Sequence, residues 1–463
     1  MKTQIFILSG MLCFAGCAST QTEVTSDVAT SAVATADVMS SAVVQNPPER
    51  TDEVRQAVAS KGMAVEIPSK YRNAADDALR RSQDQADVMI YESWPEETTL
   101  DNDFIANVIP VWIDAVNSAE HTIDFSEFYA IREEGKALDP VLKAIRAATE
   151  RGVKIRMIFD DKMSGGENAE LPKQLSEMSN TEVRFISYSS MTSGVQHAKY
   201  FIVDGKMAYF GSQNLDWRSL DQISEMGARL RPAGLVEPLK AIFEADWKLA
   251  EQPGSVAAGE CYPSVEVDYK GEKTQVQTVG SPKNYLPCAE SWDLPHILSM
   301  IDQAKTSVSV QLLNYATTNY DKTTFTEIDE AFIRAAARGV KVRLLVSDWS
   351  TRPKYIKDLK RLAAIDNIET RMIAVPEHSE GFVPFSRTIH SKFMIVDDDQ
   401  TWLGTSNWSG DYFYNSRNVG IVAKGKTLND ELTRSFNHYW ESSYAIVVDP
   451  NVDYPVKNQA KKE

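Results

Sequence analysis

The chain predicts an α/β fold of two homologous domains with mixed, largely parallel sheets, and three features of the sequence carry that expectation. A strand–helix–strand pattern occurs twice: HTIDFSEFYAI leads into LDPVLKAIRAATERGVKIRMIFDD, and TSVSVQLLNYATT leads into EIDEAFIRAAARGVKVRLLVSDW. Both helices place apolar residues at helical spacing and stop at Arg151-Gly152 and Arg338-Gly339, each before a β-branched run. Strands alternating with amphipathic helices read as sheets covered by helices. Further on, VQHAKYFIVDGKMAYFGSQNLDWRS and TIHSKFMIVDDDQTWLGTSNWSGDY match at a constant offset of 193 residues, so the repeat covers two whole domains.

Composition sets the bounds within which this fold is read. With 43% hydrophobic and 25% charged residues in 463, the chain is an ordinary globular one, which excludes collagen-like, polytopic membrane and wholly disordered classes. Its 49 basic and 65 acidic residues give a formal charge of -16, which argues against a broad polyphosphate-coating surface and leaves room for a narrow basic pocket.

At the N-terminus, Lys2, the apolar run Ile5 to Leu12 and the ending Phe14-Ala15-Gly16-Cys17 form an export signal too short to span a bilayer. The ending resembles a bacterial lipoprotein signal over residues 1–17, with Cys17 as the lipidated residue and a lipid anchor to the membrane as the consequence. Ala18 after it fits sorting to the periplasmic side of an outer membrane. Residues 18–48 are Ser, Thr, Ala and Val with scattered acids and read as a flexible tether with a reach of roughly 30 Å. Residues 49–87 read as a peripheral helical segment, 88–255 as the first α/β domain and 262–450 as the second, joined by AEQPGSVAAGE. Cys13 leaves with the signal and Cys17 takes lipid, so Cys261 and Cys288 are the candidates for a disulfide in an oxidising compartment.

The chemistry lies in the repeated core His-x-Lys-x4-Asp: His197, Lys199 and Asp204 in the first half, His390, Lys392 and Asp397 in the second. On a strand, His and Lys share one face, while each Asp falls on the other and reads as a support for backbone or neighbours. Asn214 and Asn407 follow in Gly-marked turns and are candidates to bind a substrate phosphate. Two imidazoles, two ammonium groups and two amides supply what phosphoryl transfer without a metal or other cofactor needs: a nucleophile, an acid and base, and fixed charge around the phosphoryl oxygens. Asp160-Asp161 reads as a loop cap rather than a metal site, and no metal-type Cys/His spacing occurs. His121, His296, His378 and His438 read as ordinary structural histidines.

These paired motifs resemble the phospholipase D superfamily over nearly all of residues 100 to 450. GSQNLDWRSLDQISEMG, SPKNYLPCAESWDL and IHSKFMIVDDDQTWLGTSNWSGDYF are most similar to its animal lysosomal branch, whose members include 5′-exonucleases. The resemblance implies a bilobal, pseudo-two-fold fold with one active site between the lobes. It implies a phosphohistidine on one histidine, with His197 favoured, and acid–base work by the other. It also implies an acid about twenty residues past the motif Asp that orients a histidine; Glu225 stands there in the first half and Asn418 in the second. The imidazole beside Glu225 is then the more basic, and serves as general acid.

Three readings of function follow: a phospholipase D-type phosphodiesterase acting on phospholipid, which the anchor and the acidity favour; a 5′-exonuclease on single-stranded DNA or RNA; and a phosphate-binding lipoprotein without catalysis. Trp217, Trp408, Tyr412 and Phe413 lie just past the motifs, where they would stack bases or, more commonly, fill a core. Phe385 and Arg387 either line the substrate entrance or lead into the motif strand. No obligate protein partner is evident.

Overall fold

In the computed structural model, which describes residues 64–71 and 74–460, the repeat becomes two sheets of matching order. The signal with Cys17, the tether over 18–48 and the beginning of the 49–87 segment lie outside the described residues; the rest of that segment contains helix α1 (Ala74–Ser82).

The first sheet is built on β1 (Val88–Ser93), β2 (Thr122–Ser126), β3 (Lys154–Asp160), β4 (Thr181–Ile186), β5 (Tyr200–Val203), β6 (Met207–Gly211) and β7 (Ile223–Leu230). Their spatial order is β1-β7-β6-β5-β2-β3-β4. The second is built on β8 (Glu272–Ser281), β9 (Ser307–Leu312), β10 (Lys341–Ser347), β11 (Ile368–Ile373), β12 (Phe393–Val396), β13 (Gln400–Gly404) and β14 (Asn418–Lys424), in the order β8-β14-β13-β12-β9-β10-β11. The two orders are the same order shifted by one half of the chain.

The sheets are mixed, but the expectation that they are largely parallel is corrected. Parallel pairing runs through β2-β3-β4 and β9-β10-β11, where a helix makes the crossover. The pairs β1-β7, β7-β6, β6-β5 and β5-β2, and their second-half counterparts, are antiparallel. The reason lies in the motif: the strand after each His-x-Lys turns back at once, through Asp204 (φ +52°) and Gly205 (φ +63°) in the first half.

Three apolar clusters layer the molecule. Helices α2 (Val108–Ser118) and α3 (Asp139–Glu150) bury one face of the first sheet, and α4 (Asp293–Gln303) with α5 (Glu327–Ala337) bury the matching face of the second. A third cluster joins residues of both halves, from Ile202 and Trp247 to Phe393 and Trp440. Ala198, Tyr200 and Ile202 of the first motif strand and Phe393 and Ile395 of the second belong to it. Gly152 (φ +91°) and Gly339 (φ +87°) end α3 and α5 in the left-handed conformation that glycine adopts without strain. Cys261 and Cys288 are disulfide-bonded, as the sequence led us to expect.

Candidate active site

Each lobe lends a piece of backbone to the other. Thr388–Ile389, just before His390, pairs in parallel with Ile223 and Ser224 of β7, and the His390 N–H donates to the Ser224 carbonyl at 2.7 Å. In the mirror contact Gln196 bridges Arg417, and the His197 N–H donates to the Arg417 carbonyl at 3.0 Å. The two contacts are the same one under the 193-residue offset, so the pseudo-two-fold passes between the histidines.

This exchange sets the orienting pairs across the lobes. Glu225, which begins beside Ser224 in the first lobe, meets His390 of the second: Oε2 lies 2.7 Å from Nδ1. Asn418 of the second lobe meets His197 of the first, with Oδ1 2.9 Å from Nδ1. The two histidines, Lys199, Lys392 and Glu225 lie close enough to act on one another's charge, and His197 (5%), Lys199 (2%), Lys392 (0%), Asn214 (5%) and Asn407 (2%) are nearly withdrawn from solvent.

The Asn418 amide is fixed by what its nitrogen touches. Nδ2 donates to the Tyr412 carbonyl at 2.9 Å and toward the Ser416 carbonyl at 3.3 Å, so Oδ1 is the atom that faces His197. That oxygen also accepts from Thr405 Oγ1 at 3.0 Å. An oxygen acceptor requires a proton on His197 Nδ1, which leaves Nε2 with a free lone pair. Burial, Lys199 and Lys392 disfavour the charged ring, so Nε2 is the nitrogen that carries the lone pair. Tyr412 and Phe128 hold its ring, with centroids 4.8 and 5.4 Å away.

His390 faces a carboxyl instead of an amide. Burial and the two lysines hold both imidazoles well below their ordinary value, and burial pushes Glu225 up to about 8 against the pull of Lys392. Of the two histidines only His390 has an acid on Nδ1, so it is the one that can share a proton with a carboxyl group. Burial also pushes Lys199 down to about 7. Each lysine is tied back, Lys199 to the His197 carbonyl and Lys392 to that of His390. Asn214 and Asn407 each carry a buried Oδ1 without a hydrogen-bond partner.

The motif aspartates, grouped above with the catalytic residues, serve the fold. Asp204 accepts from the backbone N–H groups of Glu120 (3.0 Å), His121 (2.7 Å) and Thr122 (2.9 Å), pinning the start of β2. Asp397 does the same for Lys305 (2.9 Å), Thr306 (2.8 Å) and Ser307 (3.0 Å) before β9. Each follows the period-two reading, on the face away from the reacting groups. Trp217, Trp408 and Phe413 are core residues, 6%, 0% and 0% exposed, so of the four aromatics only Tyr412 touches a catalytic side chain. Arg387 anchors the lead-in by donating to the carbonyls of Pro376 (2.7 Å) and Glu96 (2.8 Å), whereas Phe385 is 48% exposed. Asp160 caps its loop by accepting from the Lys162 N–H at 3.0 Å. Sequence reasoning passed over Phe128 and Glu127, whose only signal was their place at the end of a strand beside the motif.

Residues 112–247 and 297–440 match the family described as cardiolipin synthase, PLD-like domain. The chain is 30% identical over 408 residues to the 5′-3′ exonuclease PLD3 of Xenopus laevis, covering 79% of this chain and 82% of that one. It is 29% identical over 387 residues to phospholipase D Z of Dictyostelium discoideum, covering 78% and 90%. Phosphatidylserine synthase of Haemophilus influenzae Rd KW20 shares the fold, with a TM-score of 0.57 at 11% identity over 81% of this chain and 92% of that one. Two lobes of one design, each completing the other's histidine, and a family match in both halves lead to one conclusion: the chain belongs to the phospholipase D-like family.

Proposed function

We propose that the chain is a metal-independent phosphodiesterase that works through a phosphohistidine on His197, with His390 as its acid and base. The observation that carries this is the unequal pairing, Asn418 on His197 and Glu225 on His390. His197 Nε2 attacks phosphorus; the bond to the leaving oxygen breaks, and that oxygen takes the Nε2 proton of His390. His390, now neutral, removes a proton from water, whose oxygen displaces His197 from phosphorus. Lys199, Lys392, Asn214 and Asn407 hold the charge on the non-bridging oxygens. A non-catalytic binding role is disfavoured because every group the chemistry needs is present and aimed.

For the substrate, we take the end of a single-stranded nucleic acid as the first reading. It is supported by the name of the Xenopus laevis relative. A phospholipid headgroup is the second reading. It is supported by the lipoprotein-like ending at Cys17, by the formal charge of -16, and by the name of the Dictyostelium discoideum relative. Under either reading the chain is proposed to be an exported lipoprotein tethered to the periplasmic side of an outer membrane.

Residues 18–463 assayed in metal-free buffer on 5′-labelled single-stranded DNA and on mixed-phospholipid vesicles separate the two. Stepwise loss of nucleotides, abolished in His197→Ala and His390→Ala, supports the first; headgroup release with intact DNA supports the second. Turnover that survives both substitutions would contradict the mechanism itself.

A further inference from the structure

The two lobes differ around their lysines. In the first sheet the antiparallel register of β2 and β5 pairs Ser126 with Tyr200, so the next position sets Glu127 across from Lys199. In the second, Gln311 pairs with Phe393, which sets Leu312 across from Lys392. Opposed residues of antiparallel strands have Cβ atoms about 4.5–5.5 Å apart and point to one face. Glu127 is 1% exposed, and its Oε2 is buried with no hydrogen-bond partner. Its backbone N–H is held by the Ile158 carbonyl at 2.9 Å, and the next residue, Phe128, lays its ring 5.2 Å from Lys199 Nζ. Leu312 is fully buried. Both carboxyl groups of the site therefore come from the first lobe, and their second-lobe counterparts, Leu312 and Asn418, are neutral.

We propose that Glu127 is a positioning residue of the phosphodiesterase reaction, the counter-ion that keeps Lys199 an ammonium in the empty site and yields it to the phosphodiester when substrate enters. The inference rests on the phosphodiesterase reading above. An ammonium buried without a partner would lose its proton, and a neutral amine holds a phosphoryl oxygen poorly. Burial is the main force acting against the charge on Lys199, and Glu127 is the largest influence opposing it, ahead of Glu225 and Asp160. Burial pushes Glu127 well above the ordinary carboxylate range, and Lys199 is the largest influence that draws it back toward the charged form, ahead of a hydrogen bond from the Leu215 backbone. Other titratable groups that act on this pair or on Lys199's neighbours are Lys392, His197, His390 and Tyr91. Lys392 has Glu225 as its corresponding acid, so the empty site holds two lysines against two carboxyl groups.

The test compares kcat/KM against pH for the wild type, Glu127→Gln and Glu127→Asp, on whichever substrate the wild type turns over. The limb on which activity falls with rising pH should move down by about one pH unit in Glu127→Gln, because kcat/KM reports the free enzyme. Near neutral pH, KM should rise about tenfold with kcat changed less than about threefold, and acidification should restore activity. Glu127→Asp should keep the wild-type limb. A Glu127→Gln profile of wild-type position, at full or reduced height, would overturn the proposal.

Thermal melts of Glu127→Gln, Lys199→Met and the double variant read the same pair without turnover. The proposal expects the double variant to lose less than the sum of the singles, and to recover folding if Glu127→Gln alone fails to fold. Additive losses, or a double variant no more stable than Glu127→Gln, would also overturn it. An inert wild type would count against the phosphodiesterase reading and leave the melts to decide whether Glu127 and Lys199 are coupled.

Discussion

At the scale of the residue, one atom type on Nδ1 separates two otherwise equal histidines. An amide oxygen faces Nδ1 of His197 and a carboxyl oxygen faces that of His390, and in the proposed mechanism the first ring is the nucleophile and the second the proton donor. Two substitutions test that division. Glu225→Gln withdraws the group that favours a proton on His390, so the pH above which kcat declines should fall, since a general acid must be protonated to act. An unmoved decline in the kcat–pH profile would remove Glu225 from this role. Asn418→Asp does the reverse for His197: a carboxylate there favours the imidazolium and takes away the lone pair. We expect kcat to drop by about 10²-fold, measured under saturating substrate. The motif residues themselves were legible in the sequence, because His-x-Lys-x4-Asp and the trailing Asn recur at fixed spacing. Which histidine each orienting residue serves was not, because spacing within one half is silent about contacts to the other.

At the scale of the element, the motif hairpins do two jobs with the two faces of one strand. The inward face carries His and Lys, and the outward turn carries an Asp that gathers three backbone amides from the start of the neighbouring strand. Asp397→Ala should therefore cost about 1–3 kcal/mol in denaturant unfolding, as three backbone amides lose a charged acceptor. The backbone N–H groups of Ser307, Thr306 and Lys305 hold Asp397 below the usual carboxylate range, although burial opposes them. With its folded value depressed, this contribution is present above about pH 4 and disappears as pH falls through the folded value. In Asp397→Ala that part of the acid sensitivity should be missing from a pH series of unfolding midpoints. The hairpins also explain why the mixed sheets carry more antiparallel pairs than the sequence led us to expect. Periodicity marked the helical crossovers clearly, while the Asp204-Gly205 turn was read as part of a catalytic motif before it was read as a hairpin.

At the scale of the whole molecule, the lobes form one site because neither histidine is complete within its own half. The shared apolar cluster from Ile202 to Trp440 and the exchanged strands make the interface part of the core rather than a hinge. The duplication was evident in the sequence; the exchange was not, since it depends on two distant edges meeting. Outside that core, the Cys261–Cys288 bridge staples the segment that joins the halves. Replacing both cysteines with serine should lower stability by roughly 3 kcal/mol and leave the pH profile of turnover unchanged, because the bridge touches no catalytic side chain.

The central claim is that phosphorus is carried by His197 alone. It is tested most directly by quenching turnover into alkali with a substrate labelled at the scissile phosphate, followed by peptide mapping of the phosphohistidine. The account predicts label on the peptide that contains His197, accumulating further in His390→Ala if the leaving group needs no acid. Label on His390 in the wild-type protein would contradict it.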